Sequence, residues 1–140
     1  MNATDLAYAA GVMDSDGSIS IRVSRRGANA EYHFAVAKVG QCDPVVVYWL
    51  KEMFGGSVQV SERRGSIFYD WVVASRLAAA FLQQVLPYLK IKRAQAELAV
   101  SLHPQAKGRR RAIESAELDR RREARAQVLA LNARTSIGKK

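Results

Sequence analysis

Asp14 and Asp16, two residues apart and followed at once by Gly17, are the residues of this 140-residue chain whose types and spacing could do chemistry. They close a stretch in which Leu6, Ala9, Ala10 and Met13 recur at helical spacing, with Thr4 placed to cap the helix. A helix C-terminus is the negative end of the macrodipole, so a carboxylate there costs about 0.3–1 kcal/mol. A divalent cation would reverse that balance, because hard cations take carboxylate oxygens and bring the opposite charge. The plainer reading is an Asp-Gly turn joining a helix to a strand. Ala9, Ala10 and Gly11 also strip the helix of bulk over one turn, which suits close approach to another backbone.

The elements that must hold these residues follow from periodicity. After Gly17, the polar residues Ser18, Ser20, Arg22 and Ser24 alternate with Ile19, Ile21 and Val23, as in a strand with one apolar face. Arg25 and Arg26 then open a basic hairpin loop. A second strand over 31–39 has two rows of opposite parity, one with Tyr32, Phe34, Val36 and Lys38, the other with Ala35, Ala37 and Val39. The pattern does not decide which row is buried. Asp43 and Pro44 start a helix that Gly55-Gly56 stops. A second hairpin, strands 58–61 and 67–73, puts Arg63 and Arg64 at its tip. Ser75 can cap a helix over 76–86, a fourth helix spans 90–102, 105–111 is a basic linker, and 112–131 is a last amphipathic helix. Two αββ halves followed by further helices predict an α+β fold, αββαββα, with a four-stranded antiparallel sheet and its helices on one face. One domain over 1–140 is expected, with a core over 4–102 and a basic helical extension over 105–140.

The net charge of +9 points to a polyanion, and it is concentrated late: from Gln105 onward 11 basic residues face 4 acidic ones. A basic tail can also be merely solvated. No apolar run reaches the ~20 residues of a membrane span, and no basic-then-apolar leader opens the chain, so an intracellular setting without membrane contact is expected. The lone Cys42 excludes an intramolecular disulfide and a Cys-rich zinc site. The sheet face opposite the helices would carry Ser20, Arg22 and Ser24 with some of Arg63, Arg64 and Tyr69. A basic two-stranded ribbon of that kind fits the major groove of DNA. The alternative is a solvated sheet face.

The segment AAGVMDSDG over 9–17 resembles the signature of the LAGLIDADG homing endonucleases, opening with Ala9-Ala10 where the signature has Leu-Ala. Distant residues extend the resemblance. Gln41 follows the second strand, where the family carries a polar residue that orients hydrolytic water. Pro87-Tyr88-Leu89-Lys90-Ile91-Lys92 resembles the family's segment before the fourth helix, whose second lysine, here Lys92, points to the scissile phosphate. Ala130-Leu131-Asn132 and the basic residues after it resemble the helix end and tail that clamp the DNA backbone. Taken singly, Gln41 is an ordinary loop residue and Lys92 an ordinary helix lysine. The resemblance implies a single-motif, homodimeric, site-specific double-strand DNA endonuclease.

Under that resemblance Asp16 is the metal ligand, helped by the backbone carbonyl of Ser15. Asp16, Gln41 and Lys92 form the catalytic set. Mg²⁺ is the cofactor, with Mn²⁺ substituting, Ca²⁺ supporting binding only, and no organic cofactor. Ala9, Ala10, Gly11, Met13 and Asp14 form the dimer interface, with Asp14 capping or hydrogen-bonding there. Double-stranded DNA is contacted by Ser20, Arg22, Ser24, Arg25, Arg26, Lys38, Arg63, Arg64, Tyr69, Arg134, Lys139 and Lys140. The resemblance also turns the Lys38 row of the second strand outward, and Phe34 with it. Dimer symmetry implies a pseudo-palindromic target of roughly 20 bp or more. A non-cleaving DNA- or RNA-binding protein, or an intron maturase, on the same scaffold is the alternative. An unrelated basic RNA-binding domain would expose stacking aromatics on its sheet, for which Tyr32, Phe34, Tyr69 and His33 are the candidates.

Overall fold

The switch from helical to alternating periodicity at Gly17 is where the first helix ends and the first strand begins. A computed structural model describes residues 2–25, 31–103 and 115–136. In chain order these form α1 (Ala3–Asp16), β1 (Gly17–Arg25), β2 (Glu31–Gln41), α2 (Pro44–Phe54), β3 (Ser57–Arg63), β4 (Ser66–Ala74), α3 (Ser75–Val85), a 3-10 turn (Leu86–Tyr88), α4 (Arg93–Val100) and α5 (Ser115–Ser136). The four strands make one antiparallel sheet in the order β1-β2-β4-β3, so the two hairpins meet along β2 and β4. Among the described residues no helix is long and apolar enough to cross a membrane.

The rows left open by periodicity are settled by packing. Ile19, Ala35, Ala37, Val39, Trp71 and Val73 are buried beneath the helices. Tyr32, Phe34, Val36 and Lys38 therefore face outward, in register with Ser24, Arg22, Ser20 and Ser18. Trp71 and Phe81, ring centroids 5.0 Å apart, centre the larger core, and Trp71 Nε1 donates to Gly55 O at 2.8 Å. Gly55 and Gly56 have φ of 80° and 91°, and a Cβ on Gly56 would lie 2.5 Å from Val72 O, so this turn needs glycine.

A smaller core of Ile21, Leu102, Ala124 and Val128 seats α5 on β1, the edge strand. Asn132 Nδ2 donates to Ile19 O at 2.8 Å and Arg125 Nε to Ile21 O at 3.3 Å, so α5 occupies the edge carbonyls of β1. Near the ribbon tip Arg122 binds Glu31 at 2.8 Å and lowers that carboxyl's pKa. At the start of α5, hydrogen bonds from Arg120 and Arg121 bring Glu117 down to about 2.

Several boundaries differ from expectation. Asn2, not Thr4, caps α1, its side chain accepting from Asp5 N–H at 2.8 Å. Asp43 does cap α2, accepting from Val45 N–H. Ser75 does not cap α3; it is the first helical residue, at φ 57°, and Ala74 precedes it without a side-chain bond. The fourth helix starts at Arg93 rather than residue 90, because the backbone of 90–92 is bonded elsewhere.

Candidate functional site

The C-terminal end of α1 is where the chemistry-bearing residues meet. Gly17 turns the chain from helix to strand tightly enough that a Cβ there would lie 2.7 Å from Met13 Sδ and 2.8 Å from Met13 O. The glycine of the Asp-x-Asp-Gly ending is thus a steric requirement. Asp16, the last helical residue, is exposed, and its Oδ2 accepts from Gln41 Nε2 at 2.9 Å. Gln41 reaches it from the last position of β2.

Asp14 has a different task. Its carboxylate accepts three successive backbone N–H groups, from Lys90 at 2.8 Å, Ile91 at 3.2 Å and Lys92 at 3.0 Å. These donors lie in the turn that leads into α4, so Asp14 fastens the approach to that helix from 76 to 78 residues away. The Lys92 ammonium returns the link, donating to Asp14 O at 2.8 Å. Lys92 is itself buried and sets its positive charge against the negative end of α1, two residues from Asp16. Asp16, Gln41 and Lys92, far apart in sequence, are brought to one place.

Among the described residues no group of three or more His, Cys, Asp or Glu side chains is gathered as a metal site. The oxygen donors here still suit a hard divalent cation: one exposed carboxylate, and the terminal carbonyl of Ser15, lying at the negative end of the helix dipole. They are too few for a full coordination shell from one chain.

The face assigned to subunit contact needs correction. Ala9, Ala10 and Met13 are fully buried against this chain's own sheet and α3, so they are not available to a partner. Asp14 is committed to the Lys90–Lys92 backbone. Gly11 is exposed, with nothing within 4 Å of a Cβ built on it. It belongs to an exposed stripe of Thr4, Ala7, Tyr8, Gly11 and Ser15 on the opposite side of α1. The sequence signal was available: Leu6, Ala9, Ala10 and Met13 form the more apolar stripe, the one a chain buries in itself.

The outer sheet face carries Ser20, Arg22, Ser24, Lys38 and Arg63, as expected. Arg64 lies in the β3–β4 turn at φ 51°. Tyr69 does not join them. It stands in the helix-side row opposite Gln41 and packs its ring against Tyr48 at 6.1 Å. Arg25 also belongs to the helix-side row, at the ribbon tip, 3.7 Å from Glu31. Arg134 is exposed on α5, while Arg26, Lys139 and Lys140 lie outside the described residues.

Asp70, which periodicity did not single out, is the acidic residue of this face. It is buried, lies 3.9 Å from Lys38 and 3.4 Å from Arg63, and occupies the space that a side chain on Gly40 would fill. Arg63 further rests over the Phe68 ring at 5.2 Å. A lone carboxylate amid Phe68, Trp71 and Val72 is the signal that could have flagged it.

No family model matches the sequence. It is 30% identical over 108 residues to a reverse gyrase of Thermococcus kodakarensis, an alignment that takes in 77% of this chain and 6% of that protein. The chain therefore spans a small fraction of the curated relative it matches. Among solved structures, the archaeal intron-encoded homing endonuclease I-Vdi141I, complexed with DNA, superposes with a TM-score of 0.66 at 18% identity, over 91% of this chain and 84% of that one. The homing endonuclease I-CvuI, in complex with the I-CreI target and Mg with the DNA not cleaved, gives 0.59 at 20% identity, over 89% and 94%. The LAGLIDADG homing endonuclease I-GzeII, bound to its DNA target, gives 0.56 at 18% identity, over 69% of this chain and 34% of that one. At these identities the shared property is the fold.

Proposed function

We propose that this chain, which has the fold of the LAGLIDADG homing endonucleases, is a single-motif, homodimeric, Mg²⁺-dependent endonuclease that cuts both strands of a long pseudo-palindromic DNA site. The observation that carries this reading is the 2.9 Å bond from Gln41 to Asp16 at the same helix end that receives the Lys92 ammonium.

One chain offers one such carboxylate, and a duplex has two strands to cut. An isologous contact between two α1 stripes, Thr4, Ala7, Gly11 and Ser15 on each, would bring the two Asp16 ends together and double the donor set. The chemistry that a bound divalent cation supplies is Lewis-acid charge on the phosphate and an acidified water. Asp16 and the Ser15 carbonyl would hold that cation. Gln41 spends its Nε2 hydrogen on Asp16 and keeps Oε1 to accept from water, which orients the nucleophile. Lys92, fixed by Asp14, opposes the negative charge that develops on the phosphorus oxygens. Arg22, Lys38 and Arg63 line the face that would meet the grooves, and Arg134 would add a phosphate contact that positions without specifying.

The test is a cleavage selection from a large randomised duplex library with Mg²⁺, with Ca²⁺ and with Asp16→Asn. One pseudo-palindromic site, cut only by wild type in Mg²⁺ and bound uncut in the other two arms, is the expected result. Bound but intact DNA in every arm would replace the nuclease with a non-cleaving binder.

A further inference from the structure

The part of the outer face that contact with phosphate does not explain is aromatic. We infer that Phe34, backed by Tyr32, reads the 5-methyl group of thymine in the major groove; this rests on the duplex-DNA reading above.

The distal half of the first hairpin is a two-stranded ribbon. β4 pairs with β2 only from Val36 onward, so 31–35 pair with β1 alone. One side of the ribbon is closed by α5 through Ile21, Leu102, Ala124 and Val128. The other side is left to a partner, and a B-DNA major groove admits a ribbon of this width. On that side Arg22 lies opposite Phe34 and Ser24 opposite Tyr32. The two rings stack on each other, centroids 5.9 Å apart and planes 17° from parallel, with Tyr32 44% exposed.

The rings lie side by side and nearly parallel, so the pair presents one continuous apolar block next to Arg22. Arg22 is exposed, and among the described residues no acidic group pairs with it. A cation beside an apolar block suits a base-pair edge that offers an acceptor next to a methyl. In the major groove of unmodified DNA, only thymine supplies that methyl.

The experiment uses the full chain in Ca²⁺ buffer. A binding selection from a randomised duplex library identifies the preferred site, and each thymine of one half-site is then replaced singly by uracil. At one or two ribbon positions wild type should bind the uracil duplex about four-fold more weakly, the effect of one buried methyl group. Phe34→Ala should bind the thymine and uracil duplexes equally, and Phe34→Leu should restore a preference for thymine. Phe34 lies outside the core, so both variants should fold. Equal binding of every uracil duplex by wild type, at a site it still selects, would overturn the inference. Failure to select any duplex would instead remove the DNA reading on which it rests.

Discussion

The two αββ halves place the same elements in the same order, yet aligning their helix ends on Gly17 and Gly55 sets unlike residues opposite each other. Asp16 corresponds to Phe54, Asp14 to Glu52 and Gly11 to Trp49. Phe54 is buried, its ring 4.7 Å from Phe81 and 6.2 Å from Trp49. Asp16 points into solvent with Gln41 beside it. The outer faces differ too. In the β3–β4 hairpin Asp70 and Phe68 tie down Arg63, whereas Arg22 on β1 has no such partner among the described residues. One half spends its helix end on the core; the other leaves it exposed. The lesson is that the repeat supplies position, and the burial of one residue decides whether that position packs or stays open to solvent.

Exchanging what each helix end does gives the largest contrast. Phe54→Ala should cost about 3–5 kcal/mol of stability in denaturant unfolding, the usual cost of deleting a buried aromatic. Asp16→Asn should leave stability within about 0.5 kcal/mol, since the residue is exposed, while cleavage falls by on the order of 10³-fold or more and DNA binding persists. If Asp16→Asn unfolds the chain instead, both helix ends are structural and the contrast disappears. Gly11→Leu comes next. With nothing within 4 Å of its Cβ, the variant chain should keep the native circular-dichroism spectrum. Sedimentation should find it monomeric, association being weakened by ~2 kcal/mol or more through overpacking. A stable, active Gly11→Leu dimer would move the subunit contact off α1.

A smaller difference separates Asp14 from Glu52. Asp14→Ala strands three backbone donors and releases the carbonyl partner of Lys92, so a loss of about 2 kcal/mol is expected, with a fall in cleavage rate beyond it. Glu52→Ala, at an exposed helix position, should change stability by less than about 0.5 kcal/mol. Equal losses from the two would mean that the bonds from Lys90, Ile91 and Lys92 contribute little.

Local signals carried the fold a long way. The change of period at Gly17, the Asp43-Pro44 start and the Gly55-Gly56 stop mark boundaries that local chemistry dictates, and the structure keeps them. The facing of β2 was not legible in its periodicity, because both of its rows are apolar; the resemblance turned the Lys38 row outward, and helix packing on Ala35 and Ala37 agrees with it. The same ambiguity put Ala9, Ala10 and Met13 on the wrong side of α1, since small residues suit contact within a chain as well as between chains. The bonds from 90–92 to Asp14 span most of the chain and leave no periodic trace. Asp16, Gln41 and Lys92 could be named because resemblance links distant positions, which periodicity cannot.

The smallest expected effect concerns the cover that only the first half has. Both histidines of the chain lie there. β4 stops opposite Val36, and the Ala35 N–H instead donates to His103 Nε2 at 3.2 Å. His33 is buried on the helix side of the sheet, and its Nδ1 has no hydrogen-bond partner among the described residues. Burial lowers both pKa values below the ordinary 6.5; Glu31 opposes this at His33, Arg121, Arg122 and Arg125 add to it there, and Arg121 and Arg76 add to it at His103. Unfolded imidazoles take up protons near 6.5, folded ones only at lower pH. The stability they contribute is therefore full above about pH 6.5 and is lost as the pH falls from there through the depressed folded-state values. Thermal unfolding at pH 7.5 and 5.5 should show the midpoint falling in wild type and falling less in His103→Gln, whose amide oxygen can still accept from Ala35. Hydrogen exchange should place the acid-induced opening in β1, β2 and α5 and leave β3 and β4 protected. An equal fall in the double variant His33→Gln/His103→Gln would take the acid sensitivity away from the two imidazoles, and with it the contrast between the halves.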